Sequence, residues 1–145
     1  MKEKKAILYC DGASKGNPGH SGIGIVLLIN GDKTMLSEYI GLATNNIAEY
    51  KALLKGLHEA KNQKATAIDI YTDSELLTRQ IKGLYKVKSP NLESLFKEAT
   101  LLLKGFKKYS INHVPREYNA EADRLANMAV MKIKSSIHHV ISNSR

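Results

Sequence analysis

The sequence predicts an α/β domain built on one mixed sheet with helices on its faces. Three observations carry this. Strand-like and helix-like segments follow one another in the order βββαβααβα. Asn30-Gly31-Asp32, between two apolar runs, is a strong two-residue hairpin signal and makes the early strands an antiparallel meander. A long helical connection then leads to a fourth strand, which such a crossover places parallel to the first.

Residues 5–10 read as the first strand, ending at Asp11, where Gly12 and Gly16-Asn17-Pro18-Gly19 break regular structure. Ile23 to Asn30 form the second strand and Lys33 to Leu42 the third. A helix starts at Asn45, with Ile47, Tyr50, Leu53, Leu54, Leu57 and Ala60 at helical spacing, and stops at Asn62. Ala67 to Thr72 form the fourth strand, and Ser74 to Lys82 a short helix. Ser89-Pro90-Asn91 signals the start of another helix, from Leu92 to Lys104. Tyr109 to Val114 are the fifth strand and Pro115 to Tyr118 a loop. Asn119 opens the last helix, with Ala122, Leu125, Ala126, Ala129, Val130 and Ile133 as its stripe. The 145 residues make a single domain, with a core over about 5–134 and a flexible tail at 135–145. His138 and His139 fall in that tail, where adjacent histidines are not read as a metal site.

Lys and Arg number 22 against 14 Asp and Glu, a net charge of +8, which favours a polyanionic partner. The lone Cys10 excludes an internal disulfide, and no cysteine cluster suggests zinc. Its apolar run reads as buried strand, so Cys10 is a small core residue. The longest apolar run, residues 25–29, is too short for a membrane span, and the N-terminus is too short in apolar residues for a signal peptide. A soluble, cytoplasmic, monomeric protein is expected. Gly22-Ile23-Gly24 lies within a strand without a third glycine, and no phosphate-cradling Gly-Lys-Ser/Thr loop occurs, which discounts ATPase and dehydrogenase readings.

Four carboxylates stand out. Asp11 and Asp73 each end a predicted strand, and if those strands are parallel neighbours the two share the crevice where open α/β sheets bind ligands. Glu49 lies at the border of the first helix's apolar stripe, on a flank with Asn45, Ala52 and Gly56, too small to cover it. Asp123 sits one turn after Asn119 at the margin of the last helix's stripe. Taken singly, Asp73 also fits a helix cap and Glu49 a favourable charge at a helix N-terminus. Partly buried acids repel each other unless something neutralises them, and hard oxygen ligands suit Mg²⁺ or Mn²⁺. Two such ions about 4 Å apart activate a water and stabilise a leaving 3′ oxygen in phosphodiester hydrolysis.

The chain resembles the type 1 ribonuclease H (RNase H-like) family from Ala6 to about Ile133. The matching segments are LYCDGASKGNPG, TNNIAEYKALLKGL, IYTDSELL and VPREYNAEADRLANMA, in the family's order and spacing. The resemblance implies a ribonuclease H-like five-stranded mixed sheet, with the first three strands antiparallel and the others parallel to strand one. It implies a metal-dependent endonuclease that cuts the RNA strand of RNA/DNA hybrids by a two-metal-ion mechanism, leaving 5′-phosphate and 3′-hydroxyl ends. Asp11, Glu49, Asp73 and Asp123 then hold two Mg²⁺ (or Mn²⁺) ions, with Asp11 bridging both, Glu49 also reaching a ribose 2′-OH, and Asp123 holding the more exchangeable ion. Asn17 and Thr44 match positions that grip a DNA-strand phosphate. Asn45 and Asn46 match positions that touch bases or sugars from the minor groove, with helix N-capping as their other reading. The backbone of Gly12, Ala13 and Ser14 matches the segment that meets RNA 2′-hydroxyls, the groups that separate RNA from DNA. Ser74, Arg116 and Asn119 complete the candidate substrate contacts.

Two departures from the family pattern matter. The loop histidine that many members carry before the last acid is absent; Pro115-Arg116-Glu117-Tyr118 stands there, with Arg116 as a candidate phosphate contact and His113 assigned to the strand. The segment Gly83 to Asn91 is too short for the basic protrusion of some bacterial members. Residues 79–108 still hold eight Lys or Arg against two Glu, so Arg79, Lys82, Lys86 and Lys88 are candidates to line the hybrid. Double-stranded RNA is a second candidate substrate. A non-catalytic hybrid binder and another nuclease of the wider superfamily are the competing readings.

Overall fold

The computed structural model describes residues 2–143, with side chains described through residue 133. Strands β1 (Lys5–Gly16), β2 (Gly19–Ile29) and β3 (Asp32–Ala43) form the antiparallel meander. Helix α1 (Asn45–Asn62) leads to β4 (Ala67–Thr72), and the short α2 (Glu75–Ile81) and α3 (Pro90–Lys104) lead to β5 (Lys108–His113). A single turn of 3-10 helix, Arg116–Asn119, opens into α4 (Ala120–Asn143). The sheet order is β3-β2-β1-β4-β5, with β4 parallel to β1 and β5 parallel to β4. Among the described residues, no helix is long and apolar enough to cross a membrane.

Local signals account for most of these boundaries. Asn30 and Gly31 both take positive φ, 51° and 85°, the pair of values that a two-residue turn needs to follow the strand twist. Thr44 caps α1, its hydroxyl accepting from the Ile47 N–H at 3.2 Å. Ser74 caps α2 in the same way through the Leu77 N–H. The capping readings of Asn45, Asn46 and Asp73 therefore give way to Thr44 and Ser74, one or two residues away.

Three boundaries differ from the sequence expectation by more than two residues, the end of β1, the start of β2 and the end of the last helix, and the first bears on the site. Strand β1 does not stop at Asp11; it runs five residues further, paired with Gly19 to Gly24 of β2. Gly12 is extended strand, not a breaker. A Cβ there would lie 2.4 Å from the Ala48 carbonyl carbon and 2.6 Å from the Glu49 nitrogen, so its missing side chain is what lets α1 settle onto the strand. The last helix extends past Ile133: no Gly or Pro interrupts it, and it continues to Asn143. The side chains of His138 and His139, and residues 144–145, lie outside what is described.

The pleat divides the sheet into two faces. Ala6, Leu8, Cys10 and Gly12 face α1, whose Gly56 packs directly on the Leu8 side chain; with Ile25, Leu27, Leu53, Leu57, Ile68 and Ile70 they form the main core. Asp11 pairs with Gly24 on the opposite face, where Gly22 and Gly24 let α4 approach so closely that a Cβ on Gly24 would reach the Ala122 carbonyl at 2.2 Å. Helices thus cover both faces, α1 and α4 meeting β1 from opposite sides.

Candidate active site

The parallel pairing of β1 with β4 ends at Tyr9 and Tyr71. Two residues on come Asp11, along β1, and Asp73, just past the end of β4, in the crevice that opens where the two strands stop pairing. Glu49 enters from the second turn of α1 across the Gly12 contact. One carboxylate oxygen from each of Asp11, Glu49 and Asp73 lies within 4.8 Å of the others. Asp123, from the start of α4, lines the same cavity of about 230 Å³, as do Gly12, Ala13, Ser14, Lys15, Asn45, Arg116 and Asn127.

The electrostatics of this group are unfavourable as it stands. Asp11 is 3% exposed, and burial, then the charges of Glu49 and Asp73, push its carboxyl up to about 11. Burial likewise raises Glu49 to about 7, although hydrogen bonds from Asp11 and the Gly12 backbone oppose it. Cys10 stays a buried neutral thiol, raised first by burial and then by the acids around it. The Glu49 Oε2 is buried with no hydrogen-bond partner. An orphaned carboxylate oxygen beside two further carboxylates is a donor set that fits a hard divalent cation, since such an ion supplies both the missing partner and the missing positive charge.

Asp123 stands slightly apart. Its Oδ1 accepts from Asn127 Nδ2 at 3.1 Å and lies 3.5 Å from the exposed guanidinium of Arg116. Arg116 therefore reaches the acid pocket, at the place in the chain where the family histidine is missing. His113 is exposed at the end of β5, beside Arg79 and Lys82, and not packed as a structural residue.

Asn119, a candidate substrate contact, lies buried behind the acids. It is 1% exposed and has no surface to offer a substrate; Nδ2 donates to the Cys10 carbonyl at 2.9 Å and to Asp73 Oδ1 at 3.1 Å. It ties the backbone before Asp11 to the carboxylate of Asp73, so it orients the acids from behind. Ser74 and Ser14 have engaged side chains: Ser74 caps α2, and the Ser14 hydroxyl bonds the carbonyls of Gly16 and Ala43 inside the hairpin. What Gly12, Ala13 and Ser14 turn toward the cavity fits a backbone contact.

A second cavity, of about 240 Å³, gathers Asn17, Thr44 and Asn46 with Ser89 and Asn91. Asn17 Oδ1 accepts the Asn45 N–H at 3.1 Å, which anchors the β1–β2 turn on the N-terminus of α1. The start of α3 joins them, and Ser89, its cap residue, makes no side-chain capping bond. Ser89 and Asn91 escaped the sequence reading as site residues because their only local signal was a helix start. Of the basic residues, Lys82, Lys86 and Lys88 are exposed, whereas Arg79 bonds Glu75 at 2.9 Å and lies over the Tyr85 ring.

A mixed sheet in this strand order, with an acidic pocket where its central parallel pair opens, defines the ribonuclease H-like class of α/β proteins. The family model described as "Reverse transcriptase-like" matches residues 9–129, and the chain belongs to that family, on the type 1 ribonuclease H side that its motifs resemble. A bifunctional protein of Mycobacterium tuberculosis is 42% identical over 129 residues, 87% of this chain and 35% of that protein. A ribonuclease HI of Halobacterium salinarum is 43% identical over 125 residues, 84% of this chain and 62% of that one. The chain thus spans between about a third and two thirds of these relatives. The crystal structure of the Halobacterium enzyme superposes with a TM-score of 0.85 at 40% identity, covering 88% of this chain and 98% of the other. LC11 ribonuclease H1, from a compost metagenome and determined in complex with an RNA/DNA hybrid, superposes with a TM-score of 0.83 at 38% identity, covering 88% and 98%.

Proposed function

We propose that this protein is a ribonuclease H that hydrolyses the RNA strand of an RNA/DNA hybrid with divalent metal, Mg²⁺ or Mn²⁺, leaving 5′-phosphate and 3′-hydroxyl ends. The observation that carries the reading is the convergence of Asp11, Glu49 and Asp73 within 4.8 Å, with Asp123 in the same cavity, in a protein of net charge +8. A protein that only bound nucleic acid would gain nothing from buried acids at its centre.

Bound there, two such ions would supply the charge neutralisation and Lewis acidity that phosphodiester hydrolysis requires. Asp11, Glu49, Asp73 and Asp123 are the residues that would hold them. Asn119 keeps Asp73 from rotating away, and Gly12 gives Glu49 its reach to Asp11. The strand to be cut lies along Gly12 to Ser14, whose backbone meets ribose 2′-hydroxyls, with Arg116 over a phosphate of the RNA and Asn45 and Asn46 at the minor groove. The neutral cavity around Asn17 and Thr44 takes a phosphate of the DNA strand, where the N-termini of α1 and α3 both open, as anions favour. A monomer in the cytoplasm is part of this reading.

The test is an end-labelled RNA/DNA hybrid, a duplex DNA and a duplex RNA, each incubated with Mg²⁺ or Mn²⁺. Cuts in the RNA of the hybrid, with 3′-hydroxyl ends, are expected under either metal, and none in duplex DNA. Salt-dependent binding without cleavage under both metals would leave a binding module, and preferential cutting of DNA would place the protein elsewhere in the superfamily.

A further inference from the structure

One acid of the pocket is held by residues that the catalytic reading does not use. Along β1 the pleat puts Asp11, Ala13 and Lys15 on the face toward α4. Along α4, Asp123 and Asn127 are one turn apart and share a side. The two elements meet through these side chains: Lys15 Nζ donates to Asn127 Oδ1 at 2.7 Å, and Asn127 Nδ2 donates in turn to Asp123 Oδ1 at 3.1 Å and to the Asp123 carbonyl at 2.9 Å. All three residues line the acid cavity.

The order of the chain gives this link a direction. The Asn127 amide can turn either way about its last bond, and its oxygen and nitrogen offer opposite partners. A lysine is donor only, so Lys15 fixes the amide oxygen toward itself and forces the NH₂ group onto Asp123. Asp123 is the one carboxylate outside the tight group of three; besides Asn127 its side chain meets Asp11, a fellow acid, and the exposed Arg116. Its position therefore depends on Asn127, and that of Asn127 on Lys15.

We propose that Lys15 and Asn127 form a strut, anchored on the strand that carries Asp11, which sets the side chain of Asp123 and with it the affinity of the metal ion that this acid holds. The proposal rests on the ribonuclease H reading for what Asp123 does, and it makes Lys15 and Asn127 positioning residues. Lys15 has a simpler alternative role, an independent contact to a backbone phosphate, and the two roles separate by experiment. A phosphate contact acts on hybrid affinity with a salt dependence and needs no Asn127. A strut acts on metal requirement, and its two members fail together.

The measurement is a double-mutant cycle of Lys15→Ala, Asn127→Ala and the pair, with circular dichroism to verify that each variant folds. Two quantities are read: the Mg²⁺ concentration that half-saturates cleavage, and the Mn²⁺ bound by the free protein, from the electron paramagnetic resonance of unbound Mn²⁺. Each single variant is expected to shift both midpoints upward by roughly tenfold, the lower end of what losing an outer partner of a metal ligand costs. The double variant should be no worse than either single one, and KM for the hybrid at saturating metal should stay within about twofold of wild type. Multiplying effects would overturn the strut. So would a Lys15→Ala variant that only raises KM while Asn127→Ala behaves as wild type. If the wild type cuts nothing, the ribonuclease reading fails by itself, and the Mn²⁺ midpoints alone decide the strut.

Discussion

Two cavities of nearly equal size, about 230 and 240 Å³, are built from the same parts in opposite chemistry. Both draw on the β1–β2 hairpin and the start of α1. The first gathers four carboxylates and raises the protonation of two of them by burying them together. The second holds amides, hydroxyls and two helix N-termini, with no charged side chain in its lining. The first is incomplete without cations; the second suits an anion as it stands. The difference teaches that strand phosphates need two treatments. On the proposed function, one would be gripped by fixed neutral donors, and the other approached through the metal that the four acids would hold.

The comparison breaks most severely at the acids. Asp11→Asn or Asp73→Asn should lower the cleavage rate by on the order of a thousandfold or more, beyond the ten- to hundredfold typical of losing an outer partner. Asp69→Asn is the control: this acid lies on β4, the strand that ends one residue before Asp73, but is neutralised by Lys5 at 2.7 Å and bonded by Ser110, which hold it below its usual range. Its loss should leave activity within about twofold, as for most surface substitutions. Single-turnover rates on labelled hybrid check both.

The next effect is on pH dependence. Glu49 has an ordinary value of 4.5 and a folded value of about 7, so the metal-free fold holds its proton more tightly than the unfolded chain does. That contribution is complete below pH 4.5 and is lost as pH rises through 7, a fall on the order of a few kcal/mol. Asp69, lowered by Lys5, works the other way: it contributes above its unfolded value of 3.8 and is lost as pH falls through its folded one. Melting of the metal-free protein between pH 4.5 and 7.5 should show the first slope. Glu49→Gln should lessen it, leaving the part that comes from Asp11, whose carboxyl is raised to about 11 and contributes across the same range, and millimolar Mn²⁺ should restore stability at neutral pH. Melting curves with the same slope for Glu49→Gln as for wild type would contradict the electrostatic account.

Asn119 sharpens the contrast further. It is the buried amide behind the acid cavity, whereas Asn17 and Asn91 are exposed amides at the neutral one. Asn119→Ala strips donors from the Cys10 carbonyl and Asp73, and should cost about 2 kcal/mol of stability and roughly tenfold in rate. Denaturant melts and kcat separate the two losses. Asn119→Asp, which replaces the donating NH₂ with an acceptor facing Asp73, should be the worse of the two variants.

How far all this was legible in the sequence follows from the range of the forces involved. The bounds of α1 and β4 are local matters, set by Thr44-Asn45 with an apolar stripe and by a short β-branched run, and both were readable to the residue or nearly so. The four acids were readable because each sits in its own motif. That Gly12 continues a strand was not, since the reason is the backbone of Ala48 and Glu49, more than thirty residues away. Nor was the burial of Asn119: on a helical wheel it shares a side with Asp123, and only the closure of the 3-10 turn beneath Cys10 turns it inward. Ser89 and Asn91 came into the site through the packing of α3 on α1, which no spacing along the chain encodes.

The smallest effect belongs to that last pair, and it tests the neutral cavity by itself. Asn91→Ala removes one uncharged donor from a phosphate grip, so KM for the hybrid should rise about fivefold, the worth of a single hydrogen bond near 1 kcal/mol, with kcat unchanged. The salt dependence distinguishes this from a charge effect. An uncharged donor displaces no counterion, so the slope of log KM against log salt should match wild type, whereas Lys86→Ala or Lys88→Ala, if those residues touch the hybrid, should reduce it by about one. A change of slope in Asn91→Ala would mean that a cation reaches the same phosphate. A change in kcat would mean that the two cavities are not separable, because the anion grip would then be setting the strand against the acids.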